Sequence, residues 1–153
     1  MPKHALPDTA DVALFGYESG WHVLLVRRRW EPYVDYWALP GGYLEPGEDS
    51  ETAARRELAE ETSIACNELA FVGHYREPGR DPRGPVTSDA YWGIVPSATG
   101  PIGGCPRPEP ADDAADARWW NIHRLPPLAF DHADILTDAI HQLRTRHQKE
   151  NNR

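Results

Sequence analysis

The most informative part of this sequence reads GGYLEPGE at residues 41–48 and, after seven further residues, RELAEETSI at residues 56–64. Asp49 is a suitable N-cap, so we expect a helix over about residues 50–62. At about 100° of rotation per residue, three glutamates of this helix share an arc of roughly 100°. They are Glu57, Glu60 and Glu61. A solvated surface explains any one of them, whereas the spaced set indicates a hard divalent cation, which takes carboxylate oxygens.

The opposite face of the predicted helix is small and apolar, with Ala54 and Leu58, so it can pack closely on a sheet. The glycine-rich loop before the helix exposes backbone groups that a pyrophosphate and its metal can approach. Arg56 lies one turn before Glu60 and can reach back to the loop. We expect it to pair with Glu48 and so to fix the loop on the helix.

These residues resemble the Nudix box, G-x5-E-x7-R-E-U-x-E-E-x-G-U, in which U is a bulky aliphatic residue. The matching positions are Gly42, Glu48, Arg56, Glu57, Leu58, Glu60, Glu61 and Ile64. The preceding WALPG at residues 37–41 also resembles the usual lead-in of the family. One position differs, because the last glycine of the pattern is Ser63 here. A serine in the left-handed conformation that ends the helix costs on the order of 1 kcal/mol, which concerns the helix end and not the chemistry.

The resemblance implies a Nudix hydrolase, a phosphoanhydride hydrolase of the pyrophosphatase type. It assigns Glu57 and Glu61 as the main metal ligands, with Glu60 assisting and the Gly41 carbonyl contributing. The implied cofactor is Mg²⁺, with Mn²⁺ as an alternative, which neutralises the diphosphate and activates a water molecule. The candidate catalytic residues within the box are Glu48, Arg56 and Glu60.

The apolar pattern outside the box predicts a sheet and a second helix. Strands are expected over residues 10–17, 22–28, 69–76, 88–95 and 116–121. The second helix is expected over residues 131–148. This order predicts an α/β fold, the α/β/α sandwich of the Nudix fold with a mixed β-sheet between helices. We expect an N-terminal tail (1–9), a single domain (10–147) and a C-terminal tail (148–153).

Length and composition indicate a single globular domain. The chain has 153 residues, 40% of them hydrophobic, and its 16 basic and 24 acidic residues give a net charge of −8. From this charge we expect no nucleic-acid partner, whereas a small phosphorylated ligand with a metal is compatible. No stretch is apolar enough for a membrane span or a signal peptide, so we expect a cytoplasmic protein without membrane contact. Cys66 and Cys105 are expected to be free thiols.

Segments outside the box are similar to ADP-ribose pyrophosphatase-like Nudix proteins. They are residues 81–84, 86–91, 117–120, 125–126 and 128–132. From this similarity we expect hydrolysis of the pyrophosphate bond of a nucleoside diphosphate linked to another moiety, ADP-ribose or a related NAD metabolite. Hydrolysis of a nucleoside triphosphate, including an oxidised one, is the alternative within the enzyme class. Many members of the family are homodimers, and the sequence leaves a homodimer open.

Such a substrate needs an aromatic surface for adenine and positive charge for its phosphates. The aromatic candidates are Tyr33, Tyr36 and Trp37, and the basic ones are Arg27, Arg28, Arg29 and Arg83. Core or hairpin packing of the aromatic residues, and solvation of the arginines at a strand end, are the alternatives. The retained substrate-binding candidates are Arg29, Tyr36, Trp37, Gly42 and Arg83.

The family often takes its general base from a carboxylate outside the box. The candidates are Glu109, Asp112 and Asp113, in and next to a proline-rich loop, and each of them can instead be solvated. Glu109 and Asp112 are retained as catalytic candidates. His132 can titrate near neutral pH, but a structural hydrogen bond at the start of the last helix is an equal alternative.

A non-catalytic Nudix-like ligand sensor is the alternative from another functional class. The LAFDH segment at residues 128–132 also resembles bacterial regulators of NAD metabolism that join a Nudix-like domain to a DNA-binding winged helix. Because the chain ends at Arg153, is acidic and carries every box carboxylate, we expect the enzyme.

Overall fold

The computed structural model of the protein describes residues 5–96, 104–111 and 113–152. Seven strands and two helices follow one another along these residues. The strands are β1 (Thr9–Tyr17), β2 (Trp21–Arg28), β3 (Trp37–Ala38), β4 (Gly41–Tyr43), β5 (Ala70–Tyr75), β6 (Ser88–Ile94) and β7 (Ala114–Asn121). The helices are α1 (Ser50–Thr62) and α2 (His132–Asn151).

The strands form one mixed sheet. Its main order is β3-β2-β1-β6-β5, with β4 paired to β1 and β7 paired to β2. β1 and β6 run parallel, whereas the other pairs in the described residues are antiparallel. Gly41 in β4 lies opposite Asp11 in β1. The glycine loop therefore lies at the end of the sheet where strands β1 and β6 begin.

Side chains that alternate along β1 divide the core into two layers. Leu14 packs under α1, in a cluster that contains Leu58. The next residue, Phe15, faces the other side of the sheet, in a cluster that contains Leu136 of α2. This alternation is that of a strand buried on both faces, and it confirms the predicted α/β/α sandwich.

Helix α1 begins and ends at the predicted residues. The side chain of Asp49 accepts a hydrogen bond from the Thr52 N–H at 2.7 Å. At the other end Ser63 has φ of 63°, and its N–H donates to the Ala59 carbonyl at 2.9 Å. A serine therefore adopts the left-handed conformation for which the sequence pattern prefers glycine.

The predicted boundaries were wrong at both ends of the domain. Thr9 is the first residue of β1 and not part of a tail, because its N–H donates to the Thr87 carbonyl at 3.0 Å. Residues 148–151 continue α2 instead of forming a tail. This last part of α2 is exposed, so it lacks the apolar stripe that a sequence pattern detects. The prediction also missed β3 and β4, which are too short to show an alternating pattern.

Cys66 and Cys105 are free thiols, as predicted. Burial raises the pKa of the Cys66 thiol and that of Cys105, the latter to about 11. Both thiols are therefore poor nucleophiles near neutral pH. Within the described ranges, neither helix has the length and apolar character needed to cross a membrane.

Candidate active site

One pocket opens where β4, the end of β2, the loop at residues 80–83 and the start of α2 meet. Its charged lining is of both signs. The carboxylates include Asp11, Glu61, Asp81 and Asp113, and the guanidiniums are those of Arg28, Arg29, Arg80 and Arg83. The pocket therefore presents cation-binding and anion-binding groups to the same space.

Glu61 projects from α1 to the floor of this pocket. Its carboxylate is buried and accepts a hydrogen bond from the Gly41 N–H at 2.8 Å. Burial, together with the smaller effects of the Glu57, Asp11 and Asp113 carboxylates, raises the pKa of Glu61 to about 8, although the hydrogen bond from the Gly41 N–H opposes this shift. The protein alone therefore does not stabilise the ionised form of Glu61 at neutral pH.

Glu57 lies one turn before Glu61 and directly beneath the glycine loop. A Cβ atom on Gly42 would come within 2.6 Å of the Glu57 Oε1 atom, so this position has no room for a side chain. Burial raises the pKa of Glu57, although a hydrogen bond of 2.9 Å from Arg56 opposes the shift. The glycine at residue 42 thus lets the backbone of the loop lie on the Glu57 carboxylate.

Arg56 and Glu48 form the predicted pair between helix and loop. Two hydrogen bonds of 2.8 and 2.9 Å join the guanidinium to the carboxylate. The same guanidinium donates to the Tyr43 carbonyl at 3.1 Å. Hydrogen bonds from Arg56 and from the Glu45 N–H lower the pKa of Glu48 to about 2, so this carboxylate is ionised at neutral pH.

Glu60 points away from the pocket. Its side chain is 44% exposed and pairs with Arg56 at 3.1 Å. Like Glu57, which is 16% exposed and also paired with Arg56, it is not among the residues that line the pocket. The Glu60 side chain therefore faces Arg56 and solvent, whereas Glu61 faces the pocket.

The donor set fits a hard divalent cation held by few protein ligands. A cation would offset the penalty for ionising Glu61 next to other carboxylates. In the part of the chain that the structure describes, no three His, Cys, Asp or Glu side chains are grouped as a metal site. Mg²⁺ is commonly held by one or two carboxylates together with waters and substrate phosphates. The site therefore suits an ion that is shared with a phosphate ligand.

The basic side of the pocket is built around Phe130. The guanidinium of Arg28 lies 4.9 Å from the centre of the Phe130 ring, and that of Arg83 lies 5.4 Å from it. Burial and the charge of Arg83 lower the pKa of Arg28. Asp81 compensates part of this charge through its pair with Arg83, and a bound anion would relieve the repulsion that remains between the two guanidiniums.

Three of the four predicted basic residues, Arg28, Arg29 and Arg83, line the pocket. Arg29 also donates to the Ala114 carbonyl at 3.3 Å. Arg83 is paired with Asp81 at 2.6 Å, which orients its guanidinium next to Phe130. The guanidiniums of Arg29 and Arg83 therefore face the pocket, and their contact with phosphate stays a prediction.

The predicted stacking residues lie elsewhere. Trp37 packs edge-on against Trp120 with ring centres 5.1 Å apart, and Tyr36 packs edge-on against Tyr33 at 5.3 Å. Neither Tyr36 nor Trp37 lines the pocket, since both belong to aromatic packing. Besides Tyr43, which is 50% exposed, the exposed aromatic residue that lines the pocket is Trp30, which is 62% exposed. The only sequence signal for it was a tryptophan directly after the Arg27–Arg29 run.

The structure describes two of the three candidates for the general base, and these two lie in different places. Glu109 is exposed and does not line the pocket. Its backbone instead donates to the Thr62 carbonyl at 2.8 Å, at the end of α1. Asp112 lies outside the described residues. Asp113 lines the pocket and is close enough to raise the pKa of Glu61, which makes it the candidate that geometry favours.

His132 and Asp11 line the pocket from the side of the sheet and α2. The Nδ1 atom of His132 accepts a hydrogen bond of 2.9 Å from the Leu39 N–H. Burial lowers the pKa of His132, so the imidazole is neutral near pH 7. Asp11 was missed by the sequence analysis, because it is one polar residue within an apolar strand. It accepts a hydrogen bond of 2.6 Å from the Ser88 hydroxyl.

Comparisons with known proteins find similarity over most of the chain. A family model for the NUDIX domain matches residues 6–139. An ADP-ribose pyrophosphatase of Methanocaldococcus jannaschii is 39% identical over 118 residues, which are 77% of this chain and 65% of the relative. The ADPR responsive transcriptional repressor NtrR of Acinetobacter baylyi is 29% identical over 143 residues, which are 90% of this chain and 54% of the relative.

A solved structure with the same fold contains a ligand. The NUDIX domain of Shewanella oneidensis NrtR, in a cocrystal structure with ADP ribose, matches with a TM-score of 0.79 and 26% identity, covering 92% of this chain and 90% of that chain. By contrast, this chain spans only 65% of the pyrophosphatase and 54% of the repressor.

Proposed function

This chain belongs to the Nudix family, and we propose that it is a divalent-metal-dependent hydrolase that cuts the pyrophosphate bond of ADP-ribose or a related NAD metabolite. Water adds to one phosphorus, the phosphoanhydride P–O bond breaks, and the bridging oxygen leaves with the other phosphate. From ADP-ribose the products are AMP and ribose 5-phosphate.

One observation carries this proposal: the buried Glu61 carboxylate and the guanidiniums of Arg28 and Arg83 line the same pocket. A bound diphosphate needs both kinds of group, because its oxygens share a metal ion on one side and accept charge-assisted hydrogen bonds on the other. An acidic helix alone would suit a metal, and an arginine cluster alone would suit any anion. Their meeting in one pocket supports a metal–diphosphate substrate.

The metal-binding residues that we propose are Glu57, Glu61 and the Gly41 carbonyl, with Mg²⁺ as the ion and Mn²⁺ as a substitute. Such an ion, when bound, neutralises diphosphate charge and lowers the pKa of a coordinated water. Arg56 and Glu48 hold the loop in place over α1. Glu60, which faces solvent and Arg56, is not part of the proposed ligand set.

The remaining roles follow from where side chains meet the pocket. Arg28 and Arg83 bind the phosphate oxygens, as their positions on Phe130 allow. Trp30 supplies a surface on which the adenine stacks. Asp113 accepts the proton of the attacking water.

The relatives support the choice of substrate. One is named an ADP-ribose pyrophosphatase, and another domain of the same fold was crystallised with ADP ribose. An assay with purified protein and Mg²⁺ against ADP-ribose, NADH, dinucleoside polyphosphates and ordinary and oxidised nucleoside triphosphates tests it, with products separated by chromatography. We expect AMP and ribose 5-phosphate from ADP-ribose at the highest kcat/KM. Triphosphates hydrolysed as fast as ADP-ribose would contradict the substrate assignment.

A ligand sensor is the second candidate, because the repressor relative aligns with 90% of this chain. A sensor binds ADP-ribose without hydrolysing it, whereas the proposed enzyme both binds ADP-ribose and hydrolyses it. Isothermal titration of ADP-ribose with and without Mg²⁺, beside the turnover assay, separates the two. Tight binding with no product from any compound would favour the sensor.

A further inference from the structure

The segment that leads into the glycine loop, residues 39–41, is held from both sides of the sheet. The Leu39 N–H donates to Nδ1 of His132 at 2.9 Å, and His132 is the first residue of α2. The Gly41 N–H donates to Glu61 of α1 at 2.8 Å. Between them, Pro40 has no N–H, and its carbonyl accepts from the Val12 N–H at 2.9 Å. Each backbone donor in this segment thus has a side-chain acceptor from a different helix.

His132 is itself immobilised. Its side chain is only 5% exposed, and Nε2 lies 3.7 Å from the Asp11 carboxylate. The preceding residue, Asp131, accepts two hydrogen bonds from Arg80, of 2.9 and 2.7 Å. Because Nδ1 accepts a hydrogen bond, the ring proton must be on Nε2, the nitrogen that faces Asp11. The acceptor atom is therefore fixed in both position and tautomer.

We propose that His132 is a positioning residue, whose Nδ1 atom holds Leu39 and thereby sets the position of the Gly41 backbone beside Glu61. This inference rests on the proposed function, since it concerns the same site. Only Pro40, whose backbone is rigid, separates Leu39 from Gly41. A displacement of Leu39 therefore displaces Gly41 as well. Small displacements of a reactive arrangement are costly in rate, on the order of 100-fold for about 1 Å.

Simple core packing is the rival explanation for a buried histidine. An apolar side chain of similar size would fill that volume equally well, and it would leave the Leu39 N–H without a partner. Asparagine separates the two explanations, because its Oδ1 atom occupies nearly the position of the histidine Nδ1 and can accept the same bond. If His132 only fills space in the core, leucine should be the better replacement. If His132 positions Leu39, asparagine should be the better replacement.

The test compares His132→Asn with His132→Leu, and with Leu143→Ala as a control for weakened packing of α2. Leu143 is a buried residue of α2 in the core layer between α2 and the sheet, and it does not line the pocket. We measure kcat and KM for ADP-ribose, and hydrogen exchange of the Leu39 amide by NMR. The second readout needs neither metal nor substrate.

Positioning predicts that His132→Leu lowers kcat at least ~10-fold with KM within ~3-fold and accelerates Leu39 exchange at least ~10-fold. His132→Asn should keep both within ~3-fold of wild type, and Leu143→Ala should lose stability with kcat unchanged at temperatures where it is folded.

Equal losses in the Asn and Leu variants, or no loss in the Leu variant, would overturn the proposal. If His132→Leu does not fold, His132→Gln replaces it, because its longer side chain moves the amide away from Leu39. A wild-type protein that hydrolyses none of the compounds would contradict the proposed function instead, and the Leu39 exchange comparison would then decide this inference alone.

Discussion

The guanidinium of Arg56 meets the carboxylate of Glu48 in a two-pronged contact, with 2.8 Å from Nε to Oε2 and 2.9 Å from Nη2 to Oε1. The pair joins the middle of α1 to the loop before it, across eight positions of sequence. Because Arg56 also donates to the Tyr43 carbonyl at 3.1 Å, one side chain fixes both ends of the loop. The position of the glycine backbone over Glu57 therefore depends on this arginine.

Replacing Arg56 by lysine removes the two-pronged contact but keeps the charge. We expect Arg56→Lys to lower the free energy of unfolding by ~1–3 kcal/mol and kcat by at least ~10-fold, because a lysine cannot hold Glu48 and the Tyr43 carbonyl together. Urea unfolding and turnover assays measure the two effects. Arg55→Lys is the matched control, since Arg55 forms a half-exposed pair with Glu51 at 3.3 Å that contributes ~0.5 kcal/mol or less. Similar losses in both variants would contradict the role given to Arg56.

Adding one methyl group at Gly42 should damage activity more than stability. The new Cβ would lie 2.6 Å from Oε1 of Glu57, the far end of a flexible side chain that can move aside. Gly42→Ala should therefore lower kcat/KM at least ~10-fold while changing the free energy of unfolding by less than ~1 kcal/mol. Gly104→Ala is the control, because a Cβ there meets nothing within 4 Å. Normal kinetics in Gly42→Ala would show that the position of Glu57 is not critical.

The raised pKa of Glu61 predicts a pH-dependent stability of the metal-free protein. Folding raises this pKa from its ordinary 4.5 to about 8. Between these values the folded protein binds more protons than the unfolded chain, so stability falls as pH rises. We expect Tm of the metal-free protein to fall from about pH 5 to about pH 8, with a shallower slope in Glu61→Gln. Parallel Tm–pH curves for the two proteins would contradict this assignment of the titrating group.

Trp30 and Tyr36 offer a direct contrast between two exposed aromatic residues, 62% and 44% exposed, of which only the first lines the pocket. Trp30→Ala should raise KM for ADP-ribose ~5–100-fold with a smaller change in kcat, since stacking on a base contributes ~1–3 kcal/mol. Tyr36→Ala should leave both constants within ~3-fold, because this ring packs on Tyr33. A larger rise in KM for Tyr36→Ala than for Trp30→Ala would instead support the stacking role that the sequence predicted for Tyr36.

Local chemistry explains which features the sequence predicted. The cap at Asp49, the left-handed Ser63 and the Arg56–Glu48 pair all depend on residues within one helix and the loop before it. Such short-range relations are visible in the spacing of residue types. The α/β/α order followed from the alternation of strand and helix patterns in the same way.

The parts of the site that the sequence did not predict are joined over long distances in the chain. Leu39 and His132 are 93 positions apart, and they meet because the backbone of Trp37 is hydrogen-bonded to that of Pro127 and Ala129. Trp30 lines the pocket, whereas Tyr36 and Trp37, the predicted stacking residues, pack against other aromatic rings. Closeness in sequence to the glycine loop was therefore a poor guide to which aromatic residue faces the ligand.

The most direct test of the account is the rate at which Glu61→Gln hydrolyses ADP-ribose with Mg²⁺, beside wild type. Glutamine keeps the shape of the side chain and an acceptor for the Gly41 N–H, which Glu61 binds at 2.8 Å, but it cannot carry the charge. We predict a folded variant whose turnover falls at least ~100-fold, because in the proposed mechanism the Glu61 carboxylate would bind the metal ion. A folded Glu61→Gln protein that produces AMP and ribose 5-phosphate at the wild-type rate would contradict the metal-dependent mechanism.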